Sequence, residues 1–207
     1  MLRSFFFVKN SDLHPISDRL IPRDQKELLL GHKGLVFWLY GLSGSGKSTL
    51  AVEMEKRLHQ HGIHSVVLDG DNLRSGLNSD LGFSDEDRRE NIRRVSEVAK
   101  LFAENGIIVL VSLITPLREF RKNAKSIIGE PRFHEVFVQA SFKTCKERDV
   151  KGLYAKAEKG MVASFTGQGS EFEEPVTDCL MIDSEKESPE QSADRLLDFI
   201  NRSISIN

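Results

Sequence analysis

Gly41-Leu42-Ser43-Gly44-Ser45-Gly46-Lys47-Ser48-Thr49 is the stretch that decides how the rest of the chain is read. Its G-x-x-x-x-G-K-S spacing builds a cradle for a nucleoside triphosphate out of backbone N–H groups. The glycines let the main chain curl round phosphates without Cβ clashes, Lys47 can reach the β and γ oxygens, and Ser48 can ligate Mg²⁺. Both flanks agree with this reading. Upstream, residues 35–40 (Leu-Val-Phe-Trp-Leu-Tyr) form an apolar run of strand length, in which Phe37 and Trp38 read as core. Downstream, residues 47–61 place Leu50, Ala51, Met54 and Leu58 at helical spacing. Strand, glycine loop and helix N-terminus arrive in order, so the positive end of the helix dipole faces the phosphates. A nucleoside triphosphate with Mg²⁺ is the expected ligand.

Outward from this unit the two patterns repeat. Strand-length apolar runs at 65–69, 107–112, 134–138 and 179–183 alternate with helical stretches at about 84–104, about 117–128, 142–149 and 189–202. Ser84 with Asp87 three places on is an N-cap arrangement, and Asp85 and Glu86 suit a first turn. This alternation predicts an α/β fold of the P-loop nucleoside triphosphate hydrolase type: a parallel sheet flanked by helices, with ligands at the carboxyl ends of the strands. Residues 34–207 read as that one domain, and residues 1–33 as an N-terminal arm. The arm holds Phe5-Phe6-Phe7, expected to pack on the body or on a second subunit, then Pro15 and Pro22, and a short helix from Arg23 to Leu30 ended by Gly31. Between about 149 and 174 the alternation breaks. Gly152, Gly160, Gly167 and Gly169 punctuate a stretch that carries Lys151, Lys156 and Lys159, which reads as a mobile lid.

A chain of 207 residues has room for one such domain and little more. Its formal charge of −2 and pI of about 6.3 provide no general basic field for a nucleic-acid backbone, so small anionic ligands are favoured over polymers. Cys145 and Cys179 stand far apart and outside any C-x-x-C pair, which speaks against a disulfide framework or zinc site and for a reducing cytosol. His59, His61 and His64 sit at a helix end and the following turn, and no acid or cysteine joins them at ligand spacing. The run Phe5-Phe6-Phe7-Val8 is too short for a signal-peptide core, and no segment has the length to span a bilayer. The expectation is a cytoplasmic protein without a membrane partner.

Phosphoryl transfer also needs carboxylates for the metal and the attacking hydroxyl, and a positive frame for the anion. Val66-Val67-Leu68-Asp69-Gly70-Asp71 ends an apolar strand in two acids, whereas the run at 107–111 ends in Ser112 and offers none. Asp69 and Asp71 are therefore the metal and base candidates; on their own they would read as a solvated Asp-Gly turn, and their place one helix after the glycine loop decides otherwise. Arg74, Phe83, Arg88 and Asn91 follow. Arg88 and Asn91, three apart on one helix, share a face that offers a guanidinium fork and an amide to one ligand, although a salt-linked solvated face would carry the same arginines.

Five blocks together resemble the adenylylsulfate kinase family: 41–49, Leu-Asp-Gly-Asp-Asn-Leu-Arg (68–74), Leu-Gly-Phe-Ser-x-x-Asp-Arg-x-x-Asn-Ile-Arg-Arg (81–94), Glu-Arg-Asp-Val-Lys-Gly-Leu-Tyr (147–154) and Phe-Thr-Gly (165–167). The likeness runs from about residue 34 to the C-terminus. It implies transfer of the γ-phosphoryl group of ATP to the 3′-hydroxyl of adenosine 5′-phosphosulfate (APS). Under it, Lys47, Asp71 and Thr115 are catalytic positions, residues 41–49 and Arg148 hold ATP, and Ser48, Asp69 and Asp71 attend Mg²⁺. Asp71, Arg74, Arg88, Asn91, Ile114 and Lys151 would face the acceptor, with Phe83 and Phe165 sandwiching its adenine. A homodimer and a functional link to sulfate adenylyltransferase are implied as well.

Two departures stand out. The family's Ile-Ser-Pro is Ile114-Thr115-Pro116 here, where threonine keeps the hydroxyl on a stiffer side chain and direct in-line transfer is preferred to a phosphoenzyme. After Phe-Thr-Gly the chain continues Gln168-Gly169-Ser170-Glu171-Phe172-Glu173-Glu174-Pro175, without the family's usual Ile and Asp-containing turn. A nucleotide-dependent switch lacks an N-K-x-D guanine-reading motif, and a pseudo-kinase is at odds with intact Lys47, Ser48, Asp69 and Asp71.

Overall fold

The computed structural model describes residues 13–149, 152, 154–155, 165–166, 169–170, 172–176 and 179–206. The Phe5-Phe6-Phe7 cluster, Lys151, Lys156, Lys159, Gly160, Gly167 and the side chain of Phe165 lie outside that description.

In order, the elements are α1 (Arg23–Leu30), β1 (Val36–Tyr40), α2 (Lys47–Gln60), β2 (Ser65–Asp69), α3 (Gly70–Arg74), α4 (Asp85–Ala103), β3 (Ile108–Ser112), α5 (Arg118–Ile128), β4 (Phe133–Gln139), α6 (Phe142–Arg148), β5 (Phe165–Thr166), β6 (Gly169–Ser170), β7 (Leu180–Asp183) and α7 (Pro189–Ile204). Five strands form one parallel sheet in the order β2-β3-β1-β4-β7, and β5 pairs with β6 separately. The α/β class read from the sequence is the class observed.

β1 explains why the sheet is covered on both sides. All five of its residues are buried, and successive side chains point to opposite faces. Phe37 and Leu39 enter a core with Leu50, Met54 and Leu58 of α2 and Leu196 and Ile200 of α7. Val36, Trp38 and Tyr40 enter the other core with Ile92, Val95 and Ala99 of α4 and Phe120 and Ala124 of α5. Truncating one such residue to alanine would cost about 2–5 kcal/mol through lost transfer energy and the cavity left behind.

Helix ends are specified locally. The Ser84 hydroxyl accepts from the Asp87 amide ahead of three acidic residues, as its spacing predicts. α7 starts with Pro189 behind a reciprocal capping box between Ser188 and Gln191. α1 ends at Gly31 in the left-handed conformation, and its Arg23 and Glu27 bond the carbonyl and amide of Gly34 at 3.1 and 2.8 Å. A Cβ on Gly34 would lie 2.2 Å from the Ala103 carbonyl oxygen, so only glycine permits this close passage of β1's lead-in past the end of α4.

Apart from the two-residue strands β5 and β6, inside the stretch read as a lid, element boundaries fall within two residues of the sequence reading, with one further addition. Residues 70–74, read as the turn after β2, form the short helix α3, because an Asp69 carboxylate oxygen accepts the Asp71 amide at 3.1 Å and caps it. Among the described residues, no helix is long and apolar enough to cross a membrane.

Candidate active site

The glycine loop joins β1 to α2 at the carboxyl edge of the sheet. Gly41, Gly44 and Gly46 all have positive φ, at 148°, 83° and 103°. At Gly41 a Cβ would approach the Val138 carbonyl oxygen to 2.3 Å, so the loop needs glycine for space as well as for conformation. Lys47 is 7 % exposed, and its ammonium donates to the Gly41 and Leu42 carbonyls at 2.9 and 2.7 Å, folded back over the cradle it is expected to serve.

Ser48, on the first turn of α2, donates to an Asp69 carboxylate oxygen at 2.7 Å and lies 3.1 Å from the Ser112 hydroxyl. Parallel pairing of β2 with β3 puts Asp69 opposite Ser112, which is how three residues remote in sequence meet. The sequence reading passed over Ser112 for lack of an acid; its place at the end of a parallel strand was the available signal. These are hard oxygen donors of the kind Mg²⁺ prefers, and their small number suits a cation that keeps phosphate oxygens and water in its shell. Asp71 stands on the first turn of α3, two residues after Asp69.

Arg74 closes α3. Its guanidinium donates to the Leu81 and Gly82 carbonyls at 3.2 and 2.6 Å and lies 4.4 Å from the ring centroid of Phe83, which remains 59 % exposed. Arg88 donates to the Phe83 carbonyl at 3.0 Å. Burial lowers the pKa of both guanidiniums; for Arg88 the like charge of Arg74 lowers it further, while Asp87 and Asp71 oppose the shift at Arg74. Both keep their charge at neutral pH. Two cations pressed together and partly stripped of water form a site that an anion relieves. Asn91, one turn beyond Arg88, is 4 % exposed and accepts from Asn78 at 3.0 Å.

The segment after β3 carries Ile114 and Thr115. Ile114 accepts from the Gly41 amide at 3.3 Å, joining this segment to the glycine loop. Thr115 is a β-branched residue at φ 42°, an outlying conformation that needs support. Two residues outside the sequence expectations supply it. The Trp38 indole donates to the Thr115 hydroxyl at 2.9 Å, and Arg121, 3 % exposed, donates to the Thr115, Pro116 and Glu173 carbonyls at 2.9, 3.2 and 2.8 Å. Thr115 is 2 % exposed, and its hydroxyl accepts the Trp38 indole N–H while the residue lines the cavity of the site.

On the far side of the loop, Arg148 at the end of α6 donates to the Gly44 carbonyl at 3.3 Å and to Ser184 at 3.0 and 2.8 Å. Tyr154, 2 % exposed, reaches the Ser43 carbonyl at 2.8 Å. The sequence reading quoted Tyr154 in a motif without giving it a task; its buried ring on Phe142 and Cys145 with an outward hydroxyl is a tertiary arrangement.

One cavity of about 720 Å³ is lined by the glycine loop and Arg148 together with Asp71, Arg74, Arg88 and Asn91.

Residues 33–183 match the family model for adenylylsulphate kinase. An adenylyl-sulfate kinase of Bacteroides thetaiotaomicron is 48 % identical over 192 residues, spanning 93 % of this chain and 96 % of its own. Among solved structures, the APS kinase of Mycobacterium tuberculosis in complex with AMPPNP and APS is 44 % identical, with a TM-score of 0.78 over 82 % of this chain and 98 % of that one. A hexameric APS kinase from Thiobacillus denitrificans matches with a TM-score of 0.61 at 28 % identity, over 83 % of this chain and 29 % of that one.

Proposed function

The chain belongs to the adenylylsulphate kinase family and transfers the γ-phosphoryl group of ATP to the 3′-hydroxyl of APS, giving 3′-phosphoadenosine 5′-phosphosulfate; we propose that the residues gathered around the cavity carry this reaction as follows. The observation that supports the assignment most directly is the sharing of one cavity by a triphosphate loop and a paired-arginine pocket, with an acid-bearing helix turn between them.

ATP binds along residues 41–49, where loop amides and the start of α2 receive its phosphates. Lys47 then exchanges the Gly41 and Leu42 carbonyls for phosphate oxygens, a short movement of an ammonium already poised at the loop. Ser48 and Asp69, with Asp71 nearby, would hold Mg²⁺, which would supply positive charge against the triphosphate. Arg148 braces the loop from the nucleotide side and covers the ATP base.

At the other end, Arg74 and Arg88 take the phosphosulfate, Asn91 adds an amide, Ile114 forms part of the wall, and Phe83 with Phe165 holds the adenine. Asp71 accepts the proton of the 3′-hydroxyl as that oxygen attacks the γ-phosphorus in line, while the bond from the γ-phosphorus to the β–γ bridging oxygen breaks and ADP leaves. Thr115 contributes by shaping the wall through its bond to Trp38. Residues 149–174 close as a lid that brings Lys151 to the phosphates, and residues 1–33 act as an arm leading into the kinase domain of 34–207. Exposed Leu28 and Leu29 on α1 and Leu101 on α4 favour association into a homodimer. We place the protein in the cytoplasm, working alongside sulfate adenylyltransferase.

The test is ATP consumption by the purified protein across a panel of nucleotide acceptors. Turnover with APS is expected to exceed that with the other acceptors by orders of magnitude, and inactivity with APS would overturn the assignment. Asp71→Asn is expected to lower turnover by at least about 100-fold while leaving binding of a fluorescent ATP analogue unchanged. A variant that turns over normally would remove the proton-acceptor role.

A further inference from the structure

Asn78 is fully buried, at 0 % exposure, in the turn between α3 and α4. Its backbone is held from both sides: its amide bonds the Leu73 carbonyl at 2.8 Å, and its carbonyl receives the Leu81 amide at 3.1 Å. Around it the turn is clamped by Arg74, which bonds Leu81 and Gly82, and by Arg94, which bonds the Leu77 carbonyl and takes Asp80 through two N–H···O contacts of 2.7 and 2.9 Å. The turn is thus a rigid mount for one inward side chain.

That side chain does a single thing: its amide N–H donates to the Asn91 side-chain oxygen at 3.0 Å, while its own carbonyl oxygen has no partner. A buried, unpartnered carbonyl is unfavourable, and an apolar residue of the same shape would avoid it. What the asparagine supplies in exchange is polarity at Asn91. With the Asn91 oxygen engaged, its NH₂ group is the end left to serve the cavity it lines. The reverse orientation would aim an oxygen at the pocket of Arg74 and Arg88, where it would repel the anion those cations attract.

We propose that Asn78 is a positioning residue for the acceptor: it fixes the side-chain amide of Asn91 so that a donor faces the phosphosulfate. This rests on the assignment of the arginine pocket to APS. Asn78 touches no reacting atom, so its influence falls on acceptor binding and leaves the nucleotide loop alone.

The test compares Asn78→Leu and Asn78→Ala, the second kept in case the first overpacks, with Asn91→Ala and the Asn78/Asn91 double variants in the full-length protein. Thermal melting confirms folding in each case. Both Asn78 variants are expected to raise KM for APS roughly three- to tenfold, about what one neutral hydrogen bond supplies, with KM for ATP unchanged. In the Asn91→Ala background the same replacements are expected to add nothing, because the residue they act through is gone. An unchanged KM for APS in folded Asn78 variants would overturn the proposal, as would an equal effect with and without Asn91. Wild-type protein that ignores APS would instead sink the assignment beneath it.

Discussion

Thr115 shows what a single residue can hide. From sequence it is a hydroxyl beside a family serine position; in the structure the hydroxyl accepts the buried Trp38 indole, and the backbone sits at φ 42°. Such a conformation in a β-branched residue costs on the order of 1–3 kcal/mol and persists because Arg121 and Trp38 hold it. Thr115→Val keeps the shape and removes the acceptor, leaving the indole N–H buried without a partner. Urea denaturation is expected to show a loss of about 1–3 kcal/mol, with a shift in the emission of Trp38, the sole tryptophan. Turnover by the folded variant is expected to stay within a few-fold of wild type; a collapse would return the hydroxyl to the chemistry. The placement of Lys47, Ser48 and Asp69 around the loop was legible because it follows from spacing to the glycines. Arg121 and Asn78 were not, because their partners are backbone and side-chain atoms that only folding brings near.

At the scale of elements, α4 carries both the residues proposed for the acceptor and a charge cluster beside them. Glu90 bonds Arg93 and Arg94, and these partners depress its carboxyl pKa to about 2 against an opposing effect of burial. A depressed carboxyl stabilises the fold above its unfolded value, near 4.5, and that contribution is lost as pH falls toward 2. The group is largely solvated, so screening limits the effect to at most about 1 kcal/mol. Glu90→Gln is accordingly expected to be slightly less stable than wild type at pH 7, with the difference closing by pH 2, measured by chemical denaturation at each pH. The element pattern itself was readable to within two residues because the sheet is covered on both faces and β1 is therefore apolar throughout. α3 escaped that reading: five residues are too few to show a period, and its start depends on the Asp69 cap.

For the whole molecule, the proposed binding of both ligands in one cavity makes stability depend on occupancy. A nonhydrolysable ATP analogue at 100 times its dissociation constant is expected to stabilise the fold by about 2.7 kcal/mol, seen as a raised melting temperature. APS is expected to add to this in wild type and to add little in a variant lacking both Arg74 and Arg88 side chains. The glycine loop, the βα alternation and the acid pair after β2 were set by sequence alone, because each is a local pattern whose chemistry depends on neighbours along the chain. The meeting of Ser48, Asp69 and Ser112 was decided by strand register. The desolvation of Arg74 and Arg88, the strained turn at Thr115 under Trp38 and Arg121, and the orientation of Asn91 by Asn78 were decided by tertiary packing. Burial and the direction of a hydrogen bond belong to the folded surroundings of a residue, and the residue's own type does not carry them.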